Sequence, residues 1–125
     1  MSITLTQTIL IVEDTPSEME LMRCYLLEDG YTVIGAATAQ EAIDKAVELN
    51  PAAIVTDVVM PGMSGFELCR SLKKAPATAN IPVIICSSKN QEIDRLWGMK
   101  QGADAYITKP FTQSQLVRAV KSVTF

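Results

Sequence analysis

The stretch Ala53-Ile-Val-Thr-Asp-Val-Val-Met-Pro-Gly-Met-Ser-Gly65 decides the fold. It begins as a short apolar run without alternation, which is typical of a strand buried on both faces of a parallel sheet. Asp57 ends this run, Pro61-Gly62 indicates a turn, and Ser64 stands three residues before Glu67, the spacing of a helix capping box. The stretch therefore predicts a buried strand, a polar strand end and a helix start in succession.

The same order of strand and helix signals extends in both directions from this stretch. Apolar runs predict five strands, over residues 8–12, 31–36, 53–56, 83–86 and 105–108. Capping-box spacing marks helix starts at Thr15, Thr38, Ser64 and Thr112, and Gly30 is a plausible stop for the first helix. Strands that alternate with helices predict an α/β fold, a doubly wound five-stranded parallel sheet with five helices on its two faces.

Apolar stripes predict which side of each helix is buried. In chain order these stripes are Met19, Met22 and Leu26; Ala42, Ile43, Ala46 and Val47; Phe66, Cys69 and Leu72; Ile93, Leu96 and Trp97; Leu116, Val120 and Val123. The length of 125 residues suits one domain, residues 1–125, and because the last helix ends the chain we expect no attached output domain.

Composition excludes several classes of function. The net charge of −3 and the lack of a basic run argue against a nucleic-acid partner. No apolar run is long enough to span a membrane, and Met1–Leu5 lack the features of a secretory leader, so we expect a cytoplasmic protein without membrane insertion. The chain has no histidine, which excludes Ser-His-Asp catalysis and histidine-based zinc sites. The three cysteines, Cys24, Cys69 and Cys86, are predicted to be reduced core residues.

Residues whose side chains can take part in catalysis or metal binding follow four of the predicted strands. Glu13-Asp14 follow the first strand, Asp57 the third, Ser87-Ser88 the fourth and Lys109-Pro110 the fifth. Each alone is an ordinary turn or cap residue, but the carboxyl ends of parallel strands meet at one edge, where α/β sheets bind ligands. Three converging carboxylates repel one another unless a cation neutralises them, and an all-oxygen site of this kind suits Mg²⁺.

The chain resembles the receiver domains of bacterial response regulators, the CheY-like family. The resemblance is carried by Glu13-Asp14, Asp57–Gly65, Ile81–Ser88 and Gly102–Phe111. It implies the flavodoxin-like strand order 2-1-3-4-5. It also implies that Asp57 accepts a phosphoryl group from the phosphohistidine of a CheA-like histidine kinase. A receiver of this type is not an enzyme in the usual sense, because it catalyses only its own phosphorylation and dephosphorylation.

The resemblance also assigns roles to the surrounding residues. Asp14 and Asp57 would bind Mg²⁺ directly together with the backbone carbonyl of Val59, and Glu13 would act through water. Lys109, aimed inward by a cis peptide bond to Pro110, would pair with the phosphoryl oxygens.

Two further residues form the switch that the resemblance implies. Ser87 would turn its hydroxyl toward the phosphate, and Tyr106 would swing inward into the vacated space. Serine at position 87 replaces the family's more frequent threonine, and Ser88 stands where many relatives have alanine. Apolar Val59 lies where side chains modulate hydrolysis in the family, so the phosphate lifetime is not predictable.

The output surface implied by the resemblance comprises the fourth helix, fifth strand and fifth helix, with Met99, Lys100 and Tyr106 as candidates. Residues 90–102 look similar to the regulators of type IV pilus twitching motility and of phototaxis. The sequence does not distinguish a protein that transmits a signal from one that drains phosphate from a rival regulator.

Three other functions remain as alternatives. An Asp-nucleophile phosphatase of the haloacid dehalogenase kind would need an acid two residues after Asp57, where Val59 stands. A flavodoxin-like electron carrier would place the FMN phosphate beside Glu13-Asp14, which would repel it. A receiver-like interaction module that works without phosphorylation is the third alternative, and the complete set of Asp14, Asp57, Ser87 and Lys109 argues against it.

Overall fold

The computed structural model describes residues 6–124, in which five strands alternate with five helices. The elements are β1 (Thr8–Val12), α1 (Pro16–Glu28), β2 (Thr32–Ala36), α2 (Ala39–Leu49), β3 (Ala53–Thr56), α3 (Gly65–Lys74), β4 (Val83–Ser87), α4 (Glu92–Lys100), β5 (Ala105–Thr108) and α5 (Gln113–Val123). The predicted strands are confirmed, although β2 begins one residue later and β4 ends one residue later than predicted. Met1–Leu5, on which the absence of a leader was argued, lie outside the described residues.

The five strands form one parallel sheet in the order β2-β1-β3-β4-β5. This order confirms the doubly wound fold. It places β1, β3 and β4 in the centre, where helices cover both faces. Every residue of β3 and β4 is buried, as are four of the five in β1, which explains their lack of alternation. Since β1 and β3 are neighbours, the residues that follow them lie side by side.

Two apolar clusters form the core, one on each face of the sheet. On one face α2 and α3 pack on the sheet, with Leu10, Ile54 and Leu68 fully buried. On the other face α1 and α5 contribute Leu26 and Leu116, also fully buried. Helices therefore cover both faces and leave the carboxyl ends of the strands as the open edge.

Local hydrogen bonds fix most of the predicted helix starts. Thr38, Ser64 and Thr112 each accept a hydrogen bond from the backbone N–H three residues later. Of these three, Thr112 also donates its own N–H to the Gln115 side chain, which completes a capping box. Thr15 precedes α1 as predicted but makes no side-chain cap, so the predicted box with Glu18 is wrong. No start signal was predicted for α4, whose first turn is held by a hydrogen bond from the Gln91 N–H to the Asp94 carboxylate (3.2 Å).

The predicted buried stripe of α4 is wrong. Ile93, Leu96 and Trp97 are 66%, 58% and 51% exposed, while Gly98 is the buried residue of this helix. At about 100° per residue, the three apolar side chains lie between roughly 100° and 160° away from Gly98 around the helix. The helix therefore turns its smallest residue toward the sheet and its apolar stripe toward solvent.

Two smaller burial predictions are also wrong. Val47 is 54% exposed, because the neighbouring Ala46 takes the buried position on α2. Cys24 is exposed, whereas Cys69 and Cys86 are buried as predicted, and all three are free thiols. Cys24 lies two residues from both Met22 and Leu26, so it stands on the opposite side of α1 from these buried residues.

Within residues 6–124, no helix combines the length and the apolar character that a membrane span requires.

Candidate functional site

Three carboxylates meet at the carboxyl edge of the sheet. Glu13 and Asp14 directly follow β1 and Asp57 directly follows β3, and one carboxylate oxygen of each lies within 4.8 Å of the others. The Glu13 side chain is fully buried and that of Asp57 is 12% exposed, while Asp14 is exposed. The structure thus brings together the three acids that the sequence singled out.

Backbone contacts hold Asp57 in this position. Its N–H donates to the carbonyl of Val12 (3.1 Å), and its carboxylate accepts from the N–H of Val58 (2.8 Å). The start of α3 lies so close that a Cβ on Gly65 would stand 1.9 Å from the carbonyl oxygen of Asp57. Glycine is therefore required at position 65, which gives this part of the sequence motif a steric reason.

Lys109 joins the acidic cluster from β5. Its Nζ lies 2.8 Å from Glu13, 2.9 Å from Glu18 and 3.6 Å from Asp57. The backbone N–H of Lys109 donates to the carbonyl of Ser87 (2.8 Å), and the peptide bond to Pro110 is cis, as predicted. The lysine side chain is 13% exposed, so its charge is largely withdrawn from water.

Glu13 and Lys109 each change the pKa of the other. Burial lowers the pKa of Lys109, but hydrogen bonds to Glu13 and Glu18 and the charge of Asp57 outweigh it and raise the pKa above its ordinary value. Burial raises the pKa of Glu13, against the lowering effect of its hydrogen bonds with Lys109 and the Thr15 N–H. The lysine therefore stays protonated at neutral pH, as a counter-ion must.

The predicted switch residues Ser87 and Tyr106 both bond to the backbone of Lys89. The buried Ser87 hydroxyl accepts a hydrogen bond from the N–H of Lys89 (3.1 Å), and the Tyr106 hydroxyl donates to the carbonyl of Lys89 (2.7 Å). Tyr106 is 4% exposed, so its side chain lies inward in this structure. Gly98 makes this possible, because a Cβ at that position would lie 3.0 Å from the tyrosine ring.

A cavity of about 360 Å³ opens beside the acidic cluster. Its lining includes Glu18, Asp57, Val59, Ser88 and Lys109. The Val59 side chain is 61% exposed and apolar, so it offers no acid or base next to Asp57. The cavity gives a phosphate-sized group access to Asp57 and Lys109 together.

Glu18 is the site residue that sequence reasoning missed. It was interpreted as a capping residue, yet its carboxylate contacts Lys109, which lies 91 residues further along the chain. A weak signal existed, since Glu18 lies in the first turn after the loop that carries Asp14. Only the position of β5 relative to α1 reveals the contact.

The donor set fits a hard divalent cation. The ligands on offer are carboxylate oxygens, and no histidine exists in the chain. Exposed Asp14 leaves room for several waters, which Mg²⁺ retains when bound to proteins. The three carboxylates of the cluster and Glu18 face one lysine, which leaves a net negative charge that a divalent cation would neutralise.

Comparison with known proteins agrees with this geometry. The family model described as the response regulator receiver domain matches residues 9–121. The chain is 39% identical to protein PilH of Pseudomonas aeruginosa over 115 residues, which cover 92% of this chain and 95% of that protein. It spans about half the length of several curated transcriptional regulatory proteins that it also matches.

Solved structures give the same result. The chemotaxis response regulator CheY4 of Vibrio cholerae superposes with a TM-score of 0.89 at 27% identity, over 95% of this chain and 99% of that one. The receiver domain of the sensor histidine kinase PA1611 of Pseudomonas aeruginosa superposes with a TM-score of 0.87 at 26% identity, over 95% and 98% of the two chains. That structure is described with a magnesium ion coordinated in its active site cleft. The chain therefore belongs to the family of response regulator receiver domains, which generally bind Mg²⁺ at an acidic pocket of this kind.

Proposed function

We propose that this receiver domain, residues 1–125, accepts a phosphoryl group on Asp57 from a CheA-like histidine kinase and changes its protein-binding surface in response. The observation that carries the proposal is the position of the Asp57 carboxylate. It belongs to the acidic cluster, lines the cavity and lies 3.6 Å from the Lys109 ammonium. A carboxylate in such a setting has a cation-binding site on one side and a fixed positive charge on the other.

The proposed reaction transfers a phosphoryl group from the imidazole of the donor histidine to the carboxylate of Asp57. A carboxylate oxygen of Asp57 forms a bond to phosphorus while the bond from phosphorus to the donor's imidazole nitrogen breaks, and the electron pair stays on that nitrogen. Asp14, Asp57 and the carbonyl of Val59 would hold Mg²⁺, with Glu13 acting through water. The bound ion would supply charge neutralisation that lets two anions approach.

Lys109 has the complementary role in this proposal. Its ammonium, kept protonated by the surrounding carboxylates, would pair with the phosphoryl oxygens and stabilise the charge that develops on them. The resulting aspartyl phosphate adds strong acceptor oxygens beside Ser87. Each hydrogen bond to such a charged group contributes roughly 1.5–3 kcal/mol, so two or three could reverse a two-state equilibrium.

Ser87 and Tyr106 would transmit this change. To reach the phosphate, the Ser87 hydroxyl has to leave the N–H of Lys89, the residue whose carbonyl binds Tyr106. Movement at Lys89 would thus alter both switch residues and the start of α4. The exposed apolar side chains of α4 and the β5 and α5 surfaces beside it are the proposed binding site for a downstream protein.

We further propose that the protein works in the cytoplasm and controls pilus-based motility or taxis. Similarity to PilH over nearly the full length of both chains supports the link to pili. Comparison of twitching in a strain that lacks the gene with a strain that carries Asp57→Asn tests this role, and normal movement in both would contradict it.

Phosphorylation is tested by mass spectrometry of the intact protein after incubation with acetyl phosphate and Mg²⁺. We expect wild type to gain one phosphoryl group and Asp57→Asn to gain none. Asp44→Asn is a matched control, because Asp44 is an exposed residue of α2 that bonds only Gln40 among the described residues. Absence of label in wild type, or label that persists in Asp57→Asn, would contradict the proposal.

One observation favours a second candidate, a receiver-like module that binds its partner without phosphorylation. Tyr106 is 4% exposed and its hydroxyl donates to the carbonyl of Lys89, so contacts within the protein itself hold the switch tyrosine inward. Partner binding that is equally tight for wild type, phosphorylated wild type and Asp57→Asn would support this candidate.

A further inference from the structure

We propose that Glu18 is a positioning residue that holds the Lys109 ammonium in the resting site and is exchanged for phosphoryl oxygens when Asp57 is phosphorylated. The inference rests on the proposed phosphorylation of Asp57. It concerns a residue of α1 that lies outside the acidic cluster and that the sequence marked only as a helix-capping residue. Glu18 would therefore set how readily the site takes up a phosphoryl group.

The first step of the argument is the number of partners around Lys109. A lysine ammonium has three N–H donors. In the resting site its Nζ lies 2.8 Å from Glu13, 2.9 Å from Glu18 and 3.6 Å from Asp57. Glu13 and Glu18 thus accept hydrogen bonds from two of these donors, and Asp57 lies at ion-pair distance. Phosphoryl oxygens that take more than one donor of this ammonium must therefore displace one of the two hydrogen-bonded carboxylates.

The second step identifies the carboxylate that withdraws. Glu13 is fully buried and also accepts the N–H of Thr15, so removing its counter-ion would leave a buried charge. Asp57 carries the incoming group and has to remain. Glu18 is 42% exposed, so its carboxylate can return to water at little cost. Exposure therefore selects Glu18 as the exchangeable partner.

The third step is the location of Glu18 on the path of the donor. Glu18 lines the same cavity as Asp57 and Lys109, through which a phosphodonor would reach the site. Its negative charge opposes the approach of an anion while it competes for Lys109. Both effects act in the same direction, since each disfavours the phosphorylated state.

The experiment measures the affinity for beryllofluoride, an anionic mimic of the phosphoryl group, by fluorine NMR in saturating Mg²⁺. We expect Glu18→Gln to bind beryllofluoride about two- to fivefold more tightly than wild type, the range expected from release of a partly exposed ion pair. Glu20→Gln is the matched control, because it removes the same charge from the same helix while Glu20 contacts the exposed Cys24 rather than Lys109. Its affinity should equal that of wild type.

A second readout separates positioning from a structural role. Affinity for Mg²⁺ alone should stay equal or fall in Glu18→Gln, because the variant loses negative charge near the cation site. A general loosening of the site would weaken the binding of both ligands, whereas the proposed role requires tighter binding of beryllofluoride together with equal or weaker binding of Mg²⁺. Glu18→Asp keeps the charge and shortens the side chain, so it should lose the contact and show a smaller gain in beryllofluoride affinity.

The outcomes are distinguishable. Unchanged or weaker beryllofluoride binding by Glu18→Gln, with wild type binding normally, overturns the role of Glu18 and leaves the proposed function standing. Failure of wild type itself to bind beryllofluoride overturns both. Tighter binding by Glu20→Gln to the same degree would also overturn the proposal, because overall charge would then explain the effect.

Discussion

Lys109→Met should destabilise the protein by leaving the buried Glu13 carboxylate without its counter-ion. Removal of one partner from a buried ion pair typically costs about 3–5 kcal/mol. Here protonation of Glu13 limits the loss, because its ordinary pKa of 4.5 lies 2.5 units below pH 7 and each unit corresponds to about 1.4 kcal/mol. We therefore expect a loss of about 2–3 kcal/mol in the free energy of unfolding at pH 7.

The same reasoning fixes how the loss depends on conditions. At pH 5 only half a unit separates the solution from the ordinary pKa of Glu13, so the loss should shrink below about 1 kcal/mol. Saturating Mg²⁺ should also reduce it, since the cation neutralises the same carboxylates. Urea unfolding with EDTA or with Mg²⁺, at both pH values, measures these differences.

Lys121→Met provides the control for this prediction. Lys121 is 62% exposed and lies 3.5 Å from Asp29, and such surface pairs contribute at most about 1 kcal/mol. If Lys109→Met in EDTA at pH 7 costs no more than Lys121→Met, the account of Lys109 as the counter-ion of a buried acid is refuted.

Three further predictions concern stability and packing. Burial raises the pKa of Cys86 to about 12 from an ordinary value of 9, so this thiol ionises first in the unfolded state. The free energy of unfolding should therefore fall as pH rises above 9. Cys86→Ala should reduce that slope by up to about 1.4 kcal/mol per pH unit, and an unchanged slope would contradict the prediction. Gly98→Ala should reduce the stability measured in a thermal melt by about 1 kcal/mol, despite the better helix propensity of alanine. The reason is that its Cβ would lie 3.0 Å from the Tyr106 ring and 3.1 Å from Ile85. A net gain in stability would show that the ring moves freely. Trp97→Ser should change the stability by less than about 1 kcal/mol, because Trp97 is half exposed. Leu68→Ala should cost about 2–5 kcal/mol, because Leu68 is fully buried. Similar losses for both variants would mean that Trp97 is buried.

The fold was predictable because central parallel strands leave a distinct pattern. Ile9–Val12 and Ala53–Thr56 are buried on both faces, so they read as continuous apolar runs rather than as alternating ones. The site followed from the same fact, since the residues after such strands must share one edge of the sheet. Asp14, Asp57 and Lys109 could therefore be grouped without coordinates, although their roles rested on the family resemblance.

The orientation of α4 could not be predicted in the same way. A helical stripe such as Ile93, Leu96 and Trp97 identifies an apolar side of the helix but does not show what that side contacts. In the structure the sheet contacts Gly98, whose missing side chain makes room for Tyr106. A search for apolar periodicity does not count glycine as a buried position, so the buried side of α4 was assigned wrongly.

The contact between Glu18 and Lys109 was hidden for a different reason. The spacing from Thr15 to Glu18 satisfies a local rule, and local rules cannot detect a competing partner 91 residues away. The Lys109 ammonium offers Glu18 a hydrogen-bond donor with a full positive charge, which the backbone N–H of a cap lacks. Tertiary contact therefore replaces the local motif.

The central claim is that residues from separate strands form a single site for a cation and a phosphoryl group. A crystal structure of the protein with Mg²⁺ and beryllofluoride tests it most directly. The account predicts beryllium bonded to Asp57, the ion bound by Asp14, Asp57 and the carbonyl of Val59, and fluorines within hydrogen-bond distance of Lys109 Nζ and Ser87 Oγ. Beryllofluoride absent from Asp57, or an ion bound away from Asp14 and Asp57, would contradict the account.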